Sequence, residues 1–412
     1  MSQADLRKPP SGWRWVRLGE VSRVVSGSTP ATGIDEFWNG DICWITPTDL
    51  GKMDGKEIYS SSRFISKIGY DNCGTELIPP GSVVLSSRAP IGHLGIARVP
   101  LCTNQGCKSF IPGEYIDSDF LYYALRISVP LLQSLGSGAT FTEVSKSQLE
   151  TFKIPLPPLP EQRRIAAILN EQMAAVEKAR ASAEVQRKAA EALPGSYLRK
   201  VFKYKTGDKL PEGWRWMKLG EMCELNPRRP LNLTRNDDTL TSFVPMSAID
   251  ETLGIIMNPE KKPFKVIRKG YTFFAENDVL FAKITPCMQN GKHAIARNLI
   301  DGIGFGSTEF HVLRPADQII PEWVHFYIRQ PIVLRDATKH FTGAVGQQRV
   351  PEYFLTNLSI PLPPLPEQRR IAAILNEQMT EAEKLRESVE DQLDAIKFLP
   401  ASLLRQAFCG NL

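Results

Sequence analysis

One segment, IPLPPLPEQRRIAAILNEQM, occurs twice in this chain without a single change, from Ile154 to Met173 and again from Ile360 to Met379. The copies stand half of the 412-residue chain apart. The molecule is therefore a tandem duplication, and an internal repeat constrains the fold before any local pattern does. Two further pairs extend it. Gly12-Trp13-Arg14-Trp15 near the start is matched by Gly213-Trp214-Arg215-Trp216, and Leu193-Pro194-Gly195-Ser196-Tyr197-Leu198-Arg199 by Leu399-Pro400-Ala401-Ser402-Leu403-Leu404-Arg405. The order is domain, helix, domain, helix, with boundaries at residues 1–153, 154–203, 204–359 and 360–412.

Each repeated segment opens with a Pro-rich run that cannot be helical. Pro160 then suits a first helical position, with Glu161 and Gln162 in the first turn. Beyond it the apolar residues step with a period near 3.5: Ile165, Leu169, Val176, Ala179 and Ala183 in one copy, and Ile371, Leu375, Ala382, Leu385, Val389, Leu393 and Ile396 in the other. That is a coiled-coil seam. Gln172 and Gln378 fall either on the seam, where they fix register, or on its exposed edge. One seam is rich in Ala and the other in Leu, Val and Ile, so small residues can face large ones. This predicts that the two helices pair with each other, antiparallel, with one domain at each end. About 32 helical residues would make a spacer of about 48 Å.

Within the domains, short apolar runs alternate with Gly, Pro, Asn and Asp, as strands separated by turns do. The first domain offers strands at Asp41–Ile45, Gly81–Ser86 and Ile91–Ala97, then short helices at Asp119–Leu125 and Pro130–Leu135. The second repeats the order with strands at Ser242–Pro245, Asp278–Ala282 and Lys292–Ala296 and helices near Pro321–Arg329 and Pro331–Ala337. The fold class is α+β: two α/β domains separated by two long antiparallel coiled-coil helices in a pseudo-twofold circular arrangement. The paired tryptophans at each domain start are assigned to core packing.

No catalytic constellation stands out. Gly51-Lys52-Met53-Asp54-Gly55-Lys56-Glu57 fails the phosphate-loop pattern in spacing and last residue and reads as a polar turn. Asn226-Pro227-Arg228-Arg229 lacks the aromatic of an amino-methyltransferase motif. The five histidines and seven cysteines lack metal-ligand spacing, and the cysteines are expected to be reduced, buried thiols. No run reaches the length of a membrane span, and a cytoplasmic location is expected. The formal charge of +5 is compatible with a nucleic-acid partner.

The repeat pattern itself carries the functional inference. Helix starts that stay identical while their seams diverge predict a surface that meets the same partner twice. Its residues are Glu161, Gln162, Arg163 and Arg164, with Glu367, Gln368, Arg369 and Arg370. An i,i+3 ion pair accounts for Arg164 and Arg370. Domains that share ends but differ in loops predict two related but unequal tasks, of which reading a two-part asymmetric DNA site is the simplest.

The chain resembles the specificity subunits of type I restriction-modification systems over essentially its whole length. The resemblance rests on the two Pro-Leu-Pro-Pro-Leu-Pro-Glu-Gln helix openings and on domain starts that run from a Trp to Leu18-Gly19-Glu20 and Leu219-Gly220-Glu221. Gly27-Ser28-Thr29-Pro30, Trp44-Ile45-Thr46-Pro47-Thr48-Asp49-Leu50 and Arg88-Ala89-Pro90-Ile91-Gly92 are similar to that family as well. It implies a non-catalytic subunit with two target-recognition domains, each reading half of a bipartite DNA sequence. The helices would bind two methyltransferase subunits, which bring in restriction subunits. No cofactor is expected on this chain; S-adenosylmethionine, ATP and magnesium belong to those partners.

Base reading needs Arg or Lys toward guanine and Asn or Gln toward adenine, while hydroxyls and Lys serve phosphates. The candidates in the first domain are Arg88, Asn104, Gln105 and Lys108, with Thr140, Thr142 and Lys146 near the backbone; the alternative for Asn104 and Gln105 is that they tie the loop to its own backbone. In the second they are Lys283, Gln289, Asn290, Lys292, Gln347, Gln348 and Arg349. A non-DNA-binding coiled-coil adaptor is the rival reading, and it leaves the two diversified domains without a task.

Overall fold

The computed structural model describes residues 9–136, 143–231, 233–344 and 347–412. It divides into two compact units, Met1–Ser182 with Gln392–Leu412, and Ala183–Asp391. Each long helix contributes to both.

Unit 1 is entered and left through one two-stranded antiparallel ribbon, Arg14–Arg17 against Lys153–Leu156, with Val16 opposite Ile154. The Pro-rich run is thus extended, as proline's missing donor requires. Between these strands lie a five-stranded sheet in the order Ser22–Ser26, Cys107–Pro112, Val83–Ser86, Leu94–Ala97, Glu57–Ile58, and a three-stranded sheet in the order Arg63–Ile65, Trp38–Ile45, Leu101–Thr103. Unit 2 repeats the ribbon, Arg215–Lys218 against Ser359–Leu362, in matching register, Met217 opposite Ile360. Its sheets have four strands each, in the orders Cys223–Leu225, Phe310–Pro315, Val279–Ala282, His293–Ile295 and Glu260–Pro263, Leu240–Val244, Ile303–Gly306, Thr272–Ala275.

Helix starts follow their caps. Asp117 accepts from the backbone N–H groups of Asp119 and Phe120 and opens Ser118–Leu135. Ser145 and Gln148 form a capping box that opens Lys146–Thr151. The sequence predicts two short helices in the first case, but one helix runs through Pro130, because its face of Phe120, Leu121, Ala124 and Leu125 is buried in the core. In unit 2 the counterpart remains two helices, Pro321–Ile328 and Pro331–Lys339, each with proline at its start.

The long helices, Leu159–Val201 of 43 residues and Leu365–Phe408 of 44, exceed the expected length. Both continue through the prolines of the repeated anchor, so each measures about 65 Å at 1.5 Å per residue. In unit 1, Ile165, Ala166 and Leu169 from the start of the first helix share a core with Leu404, Ala407 and Phe408 from the end of the second. In unit 2, Leu198 and Phe202 share one with Ala372 and Leu375. Start against end in each unit makes the helices antiparallel. The Trp reading holds in part: Trp13 lies edge-on to Phe120 and Phe408, each at 6.1 Å, and Trp214 edge-on to Trp323 at 5.6 Å.

The seam is narrower than the pattern suggested. Val176, Ala183, Ala382 and Val389 are buried, but Ala179 and Leu385 are exposed. The neighbouring Arg386 takes the half-buried place, held by Glu383 and Glu390, and Arg187 is held likewise by Glu184 and Glu191. Arginine stems cover apolar surface while their heads reach carboxylates. Gln172 and Gln378 are half-buried. Among the described residues no helix is long and apolar enough to cross a membrane. Cys43, Cys102, Cys107 and Cys223 are buried thiols, while Cys73 and Cys287 are half-buried and Cys409 is exposed.

Unit 2 buries three histidines, His293, His311 and His325, of which His293 and His325 are in contact. The His293 ring stacks on Phe281 at 4.2 Å, its Nδ1 accepts from the Ala282 backbone at 3.2 Å, and its Nε2 has no hydrogen-bond partner among the described residues. His325 Nε2 meets the His293 carbonyl at 3.1 Å. Burial pushes both imidazoles down, His293 well below its ordinary 6.5 and His325 to about 3. Both are neutral when folded, so as pH falls the unfolded imidazoles take up protons first. Their stabilisation is complete above about pH 6.5 and is lost progressively below it, at up to about 1.4 kcal/mol per group per pH unit. Urea melts of the His325→Gln variant should show a shallower loss of stability between pH 6.5 and 5 than wild type; parallel slopes would contradict this account.

Candidate nucleic-acid interface

In each unit three chain segments meet at the end of a central strand. In unit 1, Val83–Ser86 continues into Ser87-Arg88 and a cis Ala89–Pro90 bond. The Ser87 N–H donates to Gly106 O at 2.8 Å, and Val144 N–H donates to Ser87 O at 3.0 Å. Arg88 forms an isolated antiparallel bridge with Glu143. Unit 2 repeats this frame: Val279–Ala282 continues into Lys283-Ile284 and a cis Thr285–Pro286 bond. Lys283 N–H donates to Glu309 O and Val350 N–H to Lys283 O, each at 2.9 Å, and Ile284 bridges Arg349.

The side chains on this frame differ. At the unit 1 junction the Glu143 carboxylate takes Lys108 Nζ at 3.0 Å, Arg88 Nη1 at 3.7 Å and the Ser87 hydroxyl at 3.3 Å. At the unit 2 junction Glu309 accepts two parallel bonds from Arg349, both at 2.8 Å, and this pairing holds its carboxyl below the usual range. Lys283 stands beside the pair; burial lowers its ammonium, and Arg349 adds to the lowering while Glu309 and Glu352 oppose it. Glu143 thus takes two cations, while Glu309 is paired with Arg349 alone and Lys283 is drawn toward both Glu309 and Glu352.

Of the first-domain candidates, Arg88 is half-buried at this junction and Gln105 is exposed, its amide oxygen against the Thr29 hydroxyl. Asn104 Oδ1 accepts from Gly106 N–H at 3.0 Å, so it ties the loop to its own backbone. Lys108 corrects the expectation of a loop cation facing solvent: it is buried, and its ammonium is taken up by Glu143, Ser87 Oγ and Gln105 O. Lys146 is exposed at a helix start, 3.6 Å from Glu150. Thr140 and Thr142 lie outside the described residues.

In the second domain, Gln289, Asn290 and Gln347 are exposed and Gln348 half-buried. Lys292 donates to Ile249 O at 3.2 Å and lies 3.8 Å from Glu251. Lys283, Gln348 and Arg349 are gathered at the junction, where Thr285 N–H donates to Gln348 O at 3.0 Å.

Sequence reasoning missed the carboxylates Glu143 and Glu309 and a second cation position. Arg63, on an edge strand of unit 1, lies 3.7 Å over the Trp38 ring and 5.5 Å from Trp44. Lys262, on an edge strand of unit 2, lies 3.9 Å over Phe243. No local pattern announces these pairings, because the partners come from different strands.

The repeated helix starts also need one correction. Glu161–Arg164 and Glu367–Arg370 pair at 2.7 Å as expected, and Arg163 and Arg369 are exposed. Gln162 and Gln368, however, are buried. Gln162 accepts from Asp117 N–H at 2.9 Å and donates to Tyr115 O at 3.0 Å and Pro157 O at 2.9 Å. Gln368 does the same with Ile320 N–H, Gln318 O and Pro363 O. These amides fasten the Pro-rich elbow to the domain and present nothing to a partner.

A family model described as the type I restriction modification DNA specificity domain matches residues 10–187 and 211–391. The MjaIX specificity subunit of Methanocaldococcus jannaschii is 32% identical over 234 residues, covering 54% of this chain and 54% of its own length. The EcoAI specificity subunit of Escherichia coli is 39% identical over 197 residues, 48% of this chain and 33% of its own. The chain thus spans about half or less of these curated relatives. Among solved structures, the HsdS subunit from Thermoanaerobacter tengcongensis superposes with a TM-score of 0.65 at 25% identity, covering 99% of both chains. A chain from a study of complex assembly and conformational transition in a type I R-M system gives 0.73 at 25% identity, covering 98% of this chain and 100% of its own.

Proposed function

Because the chain belongs to the type I restriction-modification DNA specificity family, we propose that it is the DNA-reading subunit of such a system, with each unit reading one half of a split, asymmetric target. The observation that carries this reading is the junction built twice on one backbone frame with different side chains. A shared frame delivers two readers to equivalent positions, and exchanged side chains give them different half-sites. The cations and amides at and around each junction, Arg88 and Gln105 in one unit and Lys283, Gln289, Asn290, Gln347, Gln348 and Arg349 in the other, have the chemistry for base edges and phosphates.

The exposed arginines Arg163 and Arg369, with Glu161, Arg164, Glu367 and Arg370, are the surface offered to two methyltransferase subunits, through which restriction subunits join. The chain itself transfers no methyl group and cuts no DNA in this reading; S-adenosylmethionine, ATP and magnesium serve the partners. An adaptor without DNA contact leaves the paired junctions without a role.

The test is binding by the complex of this chain with its methyltransferase. A duplex selected from a random pool by that complex should carry two short fixed blocks separated by a gap. It should bind at least about a thousand-fold more tightly than random duplex at physiological salt. Failure to select any such sequence would overturn the proposal.

A further inference from the structure

The two junctions both pair a carboxylate with a cation, in exchanged places. By backbone pairing, Ser87 corresponds to Lys283, Gly106 to Glu309 and Glu143 to Arg349. In unit 1 the segment returning after the helices brings the carboxylate; in unit 2 it brings a cation. Yet at both junctions a carboxylate holds a cation: Glu143 takes Lys108 and Arg88, and Glu309 takes Arg349. What recurs is the charge combination, carried by different residues at different positions, so descent from one ancestral domain does not by itself account for it.

We infer that Glu143 and Glu309 are positioning residues for discrimination, each holding the cations paired with it, Lys108 and Arg88 in one unit and Arg349 in the other, off phosphate until a matching half-site engages the unit. This rests on the DNA-reading function proposed above. The Glu143 and Glu309 side chains are 33% and 23% exposed, so the pairs are open enough for a phosphate to compete. A random duplex offers only phosphates and must displace the carboxylate. A target half-site also offers base-edge contacts that offset the displacement. Lys108, buried beneath Glu143, anchors that carboxylate and leaves Arg88, at 3.7 Å, as the cation more readily released. In unit 2 the cation held is Arg349, through its forked bonds to Glu309.

Glu143→Gln and Glu309→Gln keep size and hydrogen-bonding capacity while removing the charge. In the complex with its methyltransferase, each substitution should raise affinity for random duplex about tenfold. It should also steepen the dependence of log affinity on log salt by about one per cation released, and lower the ratio of target to random binding about tenfold. Glu143→Asp and Glu309→Asp retain the charge and should stay near wild type, which separates loss of charge from a disturbed fold. The inference is overturned if the Gln variants leave the random-duplex affinity and salt slope unchanged, or weaken target and random binding alike. A wild-type complex that does not prefer its selected target sinks the DNA-reading proposal itself, and the two failures are thereby told apart.

Discussion

Replacing residues 219–358 with the corresponding stretch of a relative that selects a different sequence changes one half of the target and leaves the other half as it was. The expected effect is large. Each mismatched base pair costs roughly 1–3 kcal/mol, so losing one block of a few bases lowers affinity for the old target by about a thousand-fold or more. Affinity for a hybrid site carrying the donor's block should recover to near the parental value. The expectation follows from the separate cores of the two units: Leu219, Trp323 and Phe354 pack within unit 2, and Leu18, Phe120 and Leu149 within unit 1. The measurement is repeated selection from a random duplex pool. A chimera whose selected site changes in both blocks would show that the units do not read independently.

The second large effect concerns Gln162 and Gln368. Gln162→Leu strands the Asp117 N–H and the Tyr115 and Pro157 carbonyls, all of which the amide now satisfies. Buried groups left unpaired cost roughly 1–3 kcal/mol each. Their neighbours relax in part, and a total near 3 kcal/mol is expected, which lowers the melting temperature by roughly 10 °C for a unit of this size. Gln368→Leu should act equally, since its three partners are equivalent. Gln162→Glu keeps an acceptor for Asp117 N–H but sets a carboxylate against two carbonyls, and should destabilise at least as much. A wild-type melting temperature in any of these variants would show that the elbow is fastened by other contacts.

These glutamines also mark what could be read in advance. The repeated segment, its Pro-rich opening and its Glu–Arg pairs were legible because they are local: proline bars a helix, and residues three apart on a helix meet. The same identity led to assigning Gln162 to a partner-facing surface, because identity alone does not tell an outward constraint from an inward one. Two of the three backbone groups that hold the glutamine, at Tyr115 and Asp117, belong to a loop that lies far away in sequence. Lys108 departs from the expectation for a similar reason. Its type and its neighbours Asn104 and Gln105 suited an exposed loop, but Glu143, from another segment, draws it into the interior. On the long helices the apolar period was legible, while the width of the seam was not. Leu385 satisfied the pattern, yet Arg386, with carboxylates on either side, occupies the position that the packing covers. The two junctions lay wholly beyond local reasoning, since each needs three segments brought together by strand pairing.

The ribbon that joins Arg14–Arg17 to Lys153–Leu156, and its counterpart Arg215–Lys218 to Ser359–Leu362, has a further implication. Entry and exit of each domain are hydrogen-bonded side by side in one fixed register. Loops between them can lengthen or shorten without changing the distance between the two points where the domain joins the rest of the molecule. Each domain is in effect a cassette closed by a clasp, and recombination that preserves the clasp can install a new reader without redesigning the helices that carry it.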